Sequence, residues 1–283
     1  MEISSQKVWF VTGASKGLGL DLVKQLLEQG YKVAATSRNV EELKNAVGIV
    51  SDNFLPLSVQ LNQEESIAKA IQETVKHFGK IEVIVNNAGY GLVGALEELS
   101  DAEARQNFDV NVFGSLNVIR EALPYLRQQK SGHIFNIASI GGFIGAFPGF
   151  GIYCATKFAV HGFSESLATE VKPFGIKVTV VSPGYFRTNF LNDTSLSVPK
   201  NQITDYQNVR DVQNIHENDY NGNQNGDPIK AAKVMIEVAE NPSAPLHLFL
   251  GADAYHLAEL KMEAVKQDLE AFRTLATSTG FDN

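Results

Sequence analysis

The apolar run Val8-Trp9-Phe10-Val11 passes without a break into Thr12-Gly13-Ala14-Ser15-Lys16-Gly17-Leu18-Gly19. Leu18, Leu22, Val23, Leu26 and Leu27 then recur at helical spacing. A buried strand, a glycine turn and an amphipathic helix in that order leave few folds open. Such a unit aims a helix N-terminus and several backbone N–H groups at one point, an anion site suited to a phosphate. Glycine turns of this kind occur in many α/β proteins, so the segment by itself marks a fold more than an activity.

The rest of the chain repeats the alternation. Apolar strands are predicted at 8–12, 32–36, 54–59, 81–86, 133–138, 176–182 and 246–250, with helical periodicity between them. Strands and helices in strict turn predict an α/β fold, a parallel sheet covered on both faces. With 283 residues, 44% of them apolar, the chain can bury a large core, and no repeat or linker divides it. One domain is therefore expected over 1–283. Ser100-Asp101-Ala102-Glu103 reads as a capping box, and Asp227-Pro228 as an N-cap followed by proline at the first helical position. Leu257, Leu260, Val265, Leu269 and Phe272 predict a long amphipathic terminal helix over 252–277. The interval 189–226 breaks the rhythm, with little periodicity and many asparagines, from Asn192 and Asn201 to Asn223 and Asn225. A stretch this long inside a compact domain is either a functional lid or a disordered insertion.

Charge and cysteine usage narrow the class. A net charge of −8 without long basic runs argues against nucleic acid or anionic membrane as the main partner. No apolar stretch approaches the roughly 20 residues a membrane helix needs. The polar start, 1–7, has no signal-peptide pattern, and a single cysteine, Cys154, fits a reducing cytoplasm. Cys154 reads as a small packing residue. The six histidines show no ligand spacing, so no metal site is expected.

Tyr153 and Lys157 lie four apart, side by side on one helix face. A free phenol titrates near pH 10, and an ammonium within reach stabilises the phenolate, which makes the tyrosine a usable general acid or base. Most such pairs are plain surface. Joined to a dinucleotide-type turn, this one points to hydride transfer.

Further motifs carry a resemblance. Thr12-Gly13 with Gly17 and Gly19 follows a Thr-Gly-x-x-x-Gly-x-Gly pattern. Asn86-Asn87-Ala88-Gly89 follows the fourth strand, Asn111-Val112-Phe113-Gly114 sits in a helix, Ser139 ends the fifth strand, and Pro183-Gly184 leads to Thr188. In this order, up to about Leu250, the chain resembles the short-chain dehydrogenase/reductase family. The resemblance implies a doubly wound, Rossmann-type sheet of seven parallel strands with the cofactor across their carboxyl ends. It implies a catalytic set of Asn111, Ser139, Tyr153 and Lys157. Tyr153 would exchange the proton, Ser139 would polarise the carbonyl, and Lys157 would tune the tyrosine and hold the nicotinamide ribose. Asn111 would hold a relay water. Cofactor contacts are implied at Gly13, Ser15, Lys16, Gly17, Leu18 and Gly19, at Ser37 and Arg38, and at Leu61 and Asn62. They are implied also at Asn87, Ala88 and Gly89, and at Pro183, Gly184, Phe186 and Thr188. Ser139 and Tyr153 stand one residue further apart than is common in the family, and the glycine-rich loop 141–149 would absorb the extra residue.

Charge argues for NADP(H). NAD-preferring folds of this type place an acidic side chain at the end of the second strand. Here that end reads Thr36-Ser37-Arg38-Asn39, and Arg38 with Lys16 suits a ribose phosphate. After the third strand, where the family often has an aspartate, this chain has Gln60-Leu61-Asn62. The reading is an NADPH-dependent carbonyl reductase, or the reverse alcohol dehydrogenase. An acyl-carrier ketoreductase is the second enzyme reading. A cofactor-sensing regulator is a third, weakened by the presence of all four catalytic residues. The expected pocket wall, Tyr90, Leu92, Val93, Phe143, Ile144, Phe147, Phe150, Phe186, Phe190 and Leu191, suggests an apolar ketone or secondary alcohol. The C-terminal portion is similar to bacterial relatives of hydroxysteroid and retinol dehydrogenases. A homo-oligomer, dimer or tetramer, is implied through the helices carrying Asn111 and Tyr153. The lid is expected to close over substrate once cofactor anchors its start at Thr188.

Overall fold

The computed structural model describes residues 6–191 and 195–281, so Asn192 and the extreme termini lie outside the described residues. Seven strands form one parallel sheet: β1 (Val8–Val11), β2 (Lys32–Ser37), β3 (Phe54–Ser58), β4 (Val83–Asn86), β6 (Gly132–Ile137), β7 (Ile176–Pro183) and β9 (His247–Leu250). They are the seven predicted strands, displaced by a residue or two at their ends. Their spatial order is β3-β2-β1-β4-β6-β7-β9. Two short strands, β5 (Gly91–Leu92) and β8 (Leu196–Ser197), pair separately.

Alternation along each strand sends side chains to opposite layers. Trp9 and Val11 of β1 face one core with α1 (Gly17–Glu28), α2 (Val40–Val47) and α8 (Pro228–Glu240). Val8 and Phe10 face the other, with α3 (Glu64–Phe78), α5 (Gly114–Gln129) and α6 (Gly151–Val171). Both layers are apolar, as a parallel sheet buried on two faces requires. The capping box forms at α4 (Asp101–Phe108): Ser100 accepts from the Glu103 N–H, and Glu103 reaches back to the Ser100 N–H. Asp227 caps α8 by accepting from Ile229 and Lys230.

Two expectations change. The lid interval is not irregular: it holds α7 (Gln207–Asn214), which continues as a π-helical turn over Ile215–Tyr220. Val209, Val212 and His216 line its inner side at helical spacing, a pattern hidden among polar neighbours. The terminal helix, α9 (Ala252–Thr277), has its predicted span, but only its first two turns pack on the body. Among the described residues no helix is long and apolar enough to cross a membrane.

Candidate active site

β1 and β4 are neighbours where the strand order reverses, the switch point at which open α/β sheets bind ligands. The turn after β1 is locked to the turn after β4. Asn87 donates its side-chain amide to the carbonyls of Thr12 and Gly13 at 3.0 and 2.9 Å. The N–H groups of Asn87 and Ala88 donate to Thr12 Oγ1 at 3.0 and 3.1 Å. Gly13 has φ of +64°, and a methyl group there would lie 2.7 Å from Ala88 Cα. No other residue fits that turn.

A cleft of about 660 Å³ crosses these strand ends. It is lined by Gly13, Ser15, Lys16, Gly17, Leu18, Ser37, Arg38, Leu61, Asn62, Asn87, Ala88, Gly89, Pro183, Gly184, Phe186 and Thr188, together with Ser139, Tyr153 and Lys157. Gly19, expected as a contact, lies behind it: a side chain there would run into Asn87 Nδ2, so its part is close packing. A Cβ on Gly17 would come 3.5 Å from Thr188, so the glycine turn and the lid's first residues face each other across the cleft. These backbone cradles fit a dinucleotide. Lys16 and Arg38 both reach the mouth near β2. Burial first, then the Arg38 charge, holds the Lys16 ammonium below its ordinary range, and Glu42 partly opposes this. Two cations kept close against their repulsion suit a bound anion.

Ser139 follows β6, accepts from the Gly141 N–H at 3.0 Å and lines the cleft with Tyr153 on the first turn of α6. Gly142 lets this loop lie on α6, since a methyl there would sit 2.6 Å from the Lys157 carbonyl oxygen. The Lys157 ammonium is buried, donates to the Ile137 carbonyl at 2.9 Å and lies 5.8 Å from the Tyr153 ring centre. Burial lowers its pKa to about 8. The expected pull of this ammonium on the tyrosine does not prevail in the protein alone: burial raises the phenol well above its ordinary value, and the Ser139 hydroxyl only partly opposes this.

Asn111 does not line the cleft. Its carbonyl accepts from the Tyr90 N–H at 3.0 Å, and its amide donates to the Tyr90 carbonyl and Thr156 Oγ1 at 3.0 and 3.1 Å. It sits in a π-helical turn, Asp109–Phe113, between α4 and α5. Such turns often mark functional sites, but nothing in the apolar spacing announces one. The side chain thus fixes the loop after β4 to the catalytic helix.

The expected pocket wall is partly redrawn. Tyr90, Phe147, Phe150, Phe186, Phe190 and Leu191 line the cleft. Leu92 and Val93 are buried, Val93 packing behind Phe150 and Tyr153, while Phe143 and Ile144 turn away to pack on the foot of α9. The lid supplies groups that had no sequence signal, Ser195, Ser197, His216 and Gln224. His216 Nε2 lies 3.0 Å from Tyr185 Oη, and its Nδ1 is 2.7 Å from the Val212 carbonyl. Burial lowers the histidine and raises Tyr185 to about 12, so both are neutral near pH 7. Glu98 latches the lid to the body: it pairs with Arg210 at 2.7 Å and accepts from the Ile203 N–H at 2.8 Å. Cys154 packs among Val93, Phe150 and Tyr153, and burial raises its thiol to about 11, as a packing role requires.

The histidines are less scattered than their spacing suggests. His161, Glu165 and His247 bring ligand-capable atoms within 4.8 Å of one another. His161 Nε2 lies 2.9 Å from Ser182 Oγ, and His247 Nε2 lies 3.9 Å from Glu165. The first two are four apart on α6 and the third comes from the edge strand, which one-dimensional spacing cannot register.

This arrangement of glycine cradle, buried lysine, tyrosine and serine has close counterparts. Residues 7–198 match the family model described as short chain dehydrogenase. Oxidoreductase BOA17 of Botryotinia fuckeliana is 36% identical over 96% of this chain and 99% of its own length. A 3-ketodihydrosphingosine reductase of Bacteroides thetaiotaomicron is 35% identical over 87% of this chain and 88% of its own. The crystal structure of a short-chain dehydrogenase from Streptomyces avermitilis superposes with a TM-score of 0.89 at 34% identity, covering 97% of this chain and all of that one. The chain belongs to the short-chain dehydrogenase/reductase family and is an oxidoreductase of that family.

The buried lysine generates a stability prediction. Its folded pKa of about 8 lies below the ordinary 10.5, so between those values the unfolded chain binds more protons. Stability therefore rises with pH through that window, and the penalty is fully present below it. The shift corresponds to about 3 kcal/mol. Lys157→Met should raise the unfolding midpoint near pH 7, and the gain should shrink toward pH 10. Thermal unfolding of both proteins across this range checks it, and a variant less stable at neutral pH contradicts it.

Proposed function

We propose that the protein is an NADPH-dependent carbonyl reductase, or in reverse a secondary-alcohol dehydrogenase, for an apolar substrate. The observation that carries this reading is the convergence of Ser139, Tyr153 and Lys157 in one cleft with Lys16 and Arg38 at its far mouth. A nicotinamide cofactor supplies the hydride. Tyr153 gives its proton to the substrate oxygen, and its raised pKa keeps that proton in place at neutral pH, as reduction requires. Ser139 donates to the same oxygen where negative charge develops. Lys157, held by the Ile137 carbonyl beside Gly89, orients the pair and would hold the cofactor's ribose. Asn111 acts as a positioning residue, since its side chain ties Tyr90 to Thr156.

Phe147, Phe150, Phe190 and Leu191 favour an apolar body around the reacting carbon. The name of the Bacteroides relative, 3-ketodihydrosphingosine reductase, supports a keto substrate. Residues 189–191 and 195–226 serve as the lid of this pocket, and closure would exclude water from hydride transfer. Hydrogen exchange in α7 should slow when NADPH and a substrate analogue are added together; unchanged protection would make the segment a fixed wall.

For the cofactor, kcat/KM with NADPH should exceed that with NADH. Each charge-assisted phosphate contact contributes about 1.5–3 kcal/mol, so Arg38→Ala should remove at least about tenfold of the preference. Ketone reduction assayed with both cofactors decides it, and equal rates or an NADH preference would sink the proposal.

A further inference from the structure

Helix α9 keeps one apolar face long after the body beneath it ends. Ala254, Leu257 and Ala258 pack against Ile140, Phe143 and Ile144, and Asp253 accepts from the Tyr185 N–H at 2.7 Å. From Met262 onward the helix projects roughly 24 Å at 1.5 Å per residue, with every residue exposed. Beyond Ala258, which the body covers, Met262, Val265, Leu269, Phe272 and Ala276 follow one another at spacings of three and four. That is two heptads of the seam two helices bury in a coiled coil. Met262, Val265, Leu269 and Phe272 are 41–64% exposed, so the seam has no cover among the described residues. A solitary projecting helix is marginal in water, where packing of an apolar face supplies most helical stability.

The flanking charges indicate what covers it. Beside the seam stand Glu259 and Lys266 on one side, Lys261 and Asp268 on the other. In an antiparallel pair of identical helices, each flank meets the same flank of its partner. Setting Met262 opposite Val265 of a second copy places Lys261 against Asp268 and Glu259 against Lys266. Two-fold symmetry makes each of these pairs twice, all of opposite sign. Leu269 then comes beside the foot of the second copy, where Ala254 and Ala258 are covered by that copy's own body, and Phe272 faces the exposed Tyr255, while Leu260 stays on the outer face. The parallel arrangement instead sets Lys261 against Lys266, like charges at the centre of the seam, and leaves Asp268 against Arg273 as its one pair of opposite sign.

We propose that α9 is a dimerisation arm that binds the α9 of a second copy antiparallel, with each tip reaching the other copy's foot. This surface is separate from the helices that carry Asn111 and Tyr153, and the proposal stands whether or not the carbonyl-reductase reading does.

Size-exclusion chromatography with light scattering tests it on the full chain. Wild type should assemble, and Leu269→Glu with Phe272→Glu should halve the assembled mass while leaving NADPH binding unchanged, which also shows that the variant folds. Lys266→Glu should weaken assembly, and Lys266→Glu combined with Glu259→Lys should restore it. A second measurement fixes direction. Under mild oxidation, an equimolar mixture of Met262→Cys and Val265→Cys chains should cross-link more than either chain alone. A monomeric wild type, an assembly that keeps its mass in the double glutamate variant, or cross-linking as strong in each cysteine chain alone would overturn the proposal.

Discussion

The ammonium of Lys157 is almost wholly buried at the wall of the cleft, and the site takes its shape from that burial. An isolated buried charge is costly unless it is hydrogen-bonded. Here the carbonyl of Ile137, at the end of β6, receives it. Gly142 keeps the space: a side chain there would run into the backbone of Lys157, so the loop after β6 can lie on the helix only with glycine. Burial also raises the Tyr153 phenol beside it. One constraint therefore positions the lysine and selects a glycine in the loop over it.

A second lock joins this centre to the cofactor end. Asn87 holds the glycine turn by its carbonyls, and Asn111 holds the next loop, through Tyr90, to Thr156 of the catalytic helix. Asp253 ties the loop after β7 to the start of α9, and Gly184 leaves no room for a side chain beside it. The turn after β1 is thus fixed to the turn after β4, and the loop after β7 to α9, by side-chain amides and a carboxylate rather than by regular structure.

Most of the fold was legible because its signals are local. Each strand is an apolar run, the α4 and α8 caps are short polar patterns, and α9 shows plain helical periodicity. The meeting of Ser139, Tyr153 and Lys157 in one cleft was legible because Tyr153 and Lys157 are four apart on one helix and the other motifs come in order. What stayed hidden depends on direction in space. Phe143 and Ile144 read as pocket wall, yet they turn toward α9, because sequence names a loop residue without saying which side it faces. Helix α7 was masked by polar residues around a narrow stripe of Val209, Val212 and His216. The π turn at Asn111 and the meeting of His161, Glu165 and His247 leave no trace in spacing.

The central claim is that Tyr153 is the proton donor in a cofactor site that does not depend on it. Kinetics and NADPH titration of Tyr153→Phe test this most directly, using any ketone the wild type reduces. The account predicts a fall in kcat of at least about 10²–10⁴-fold, with the NADPH dissociation constant nearly unchanged. A variant that keeps most of its turnover would contradict it.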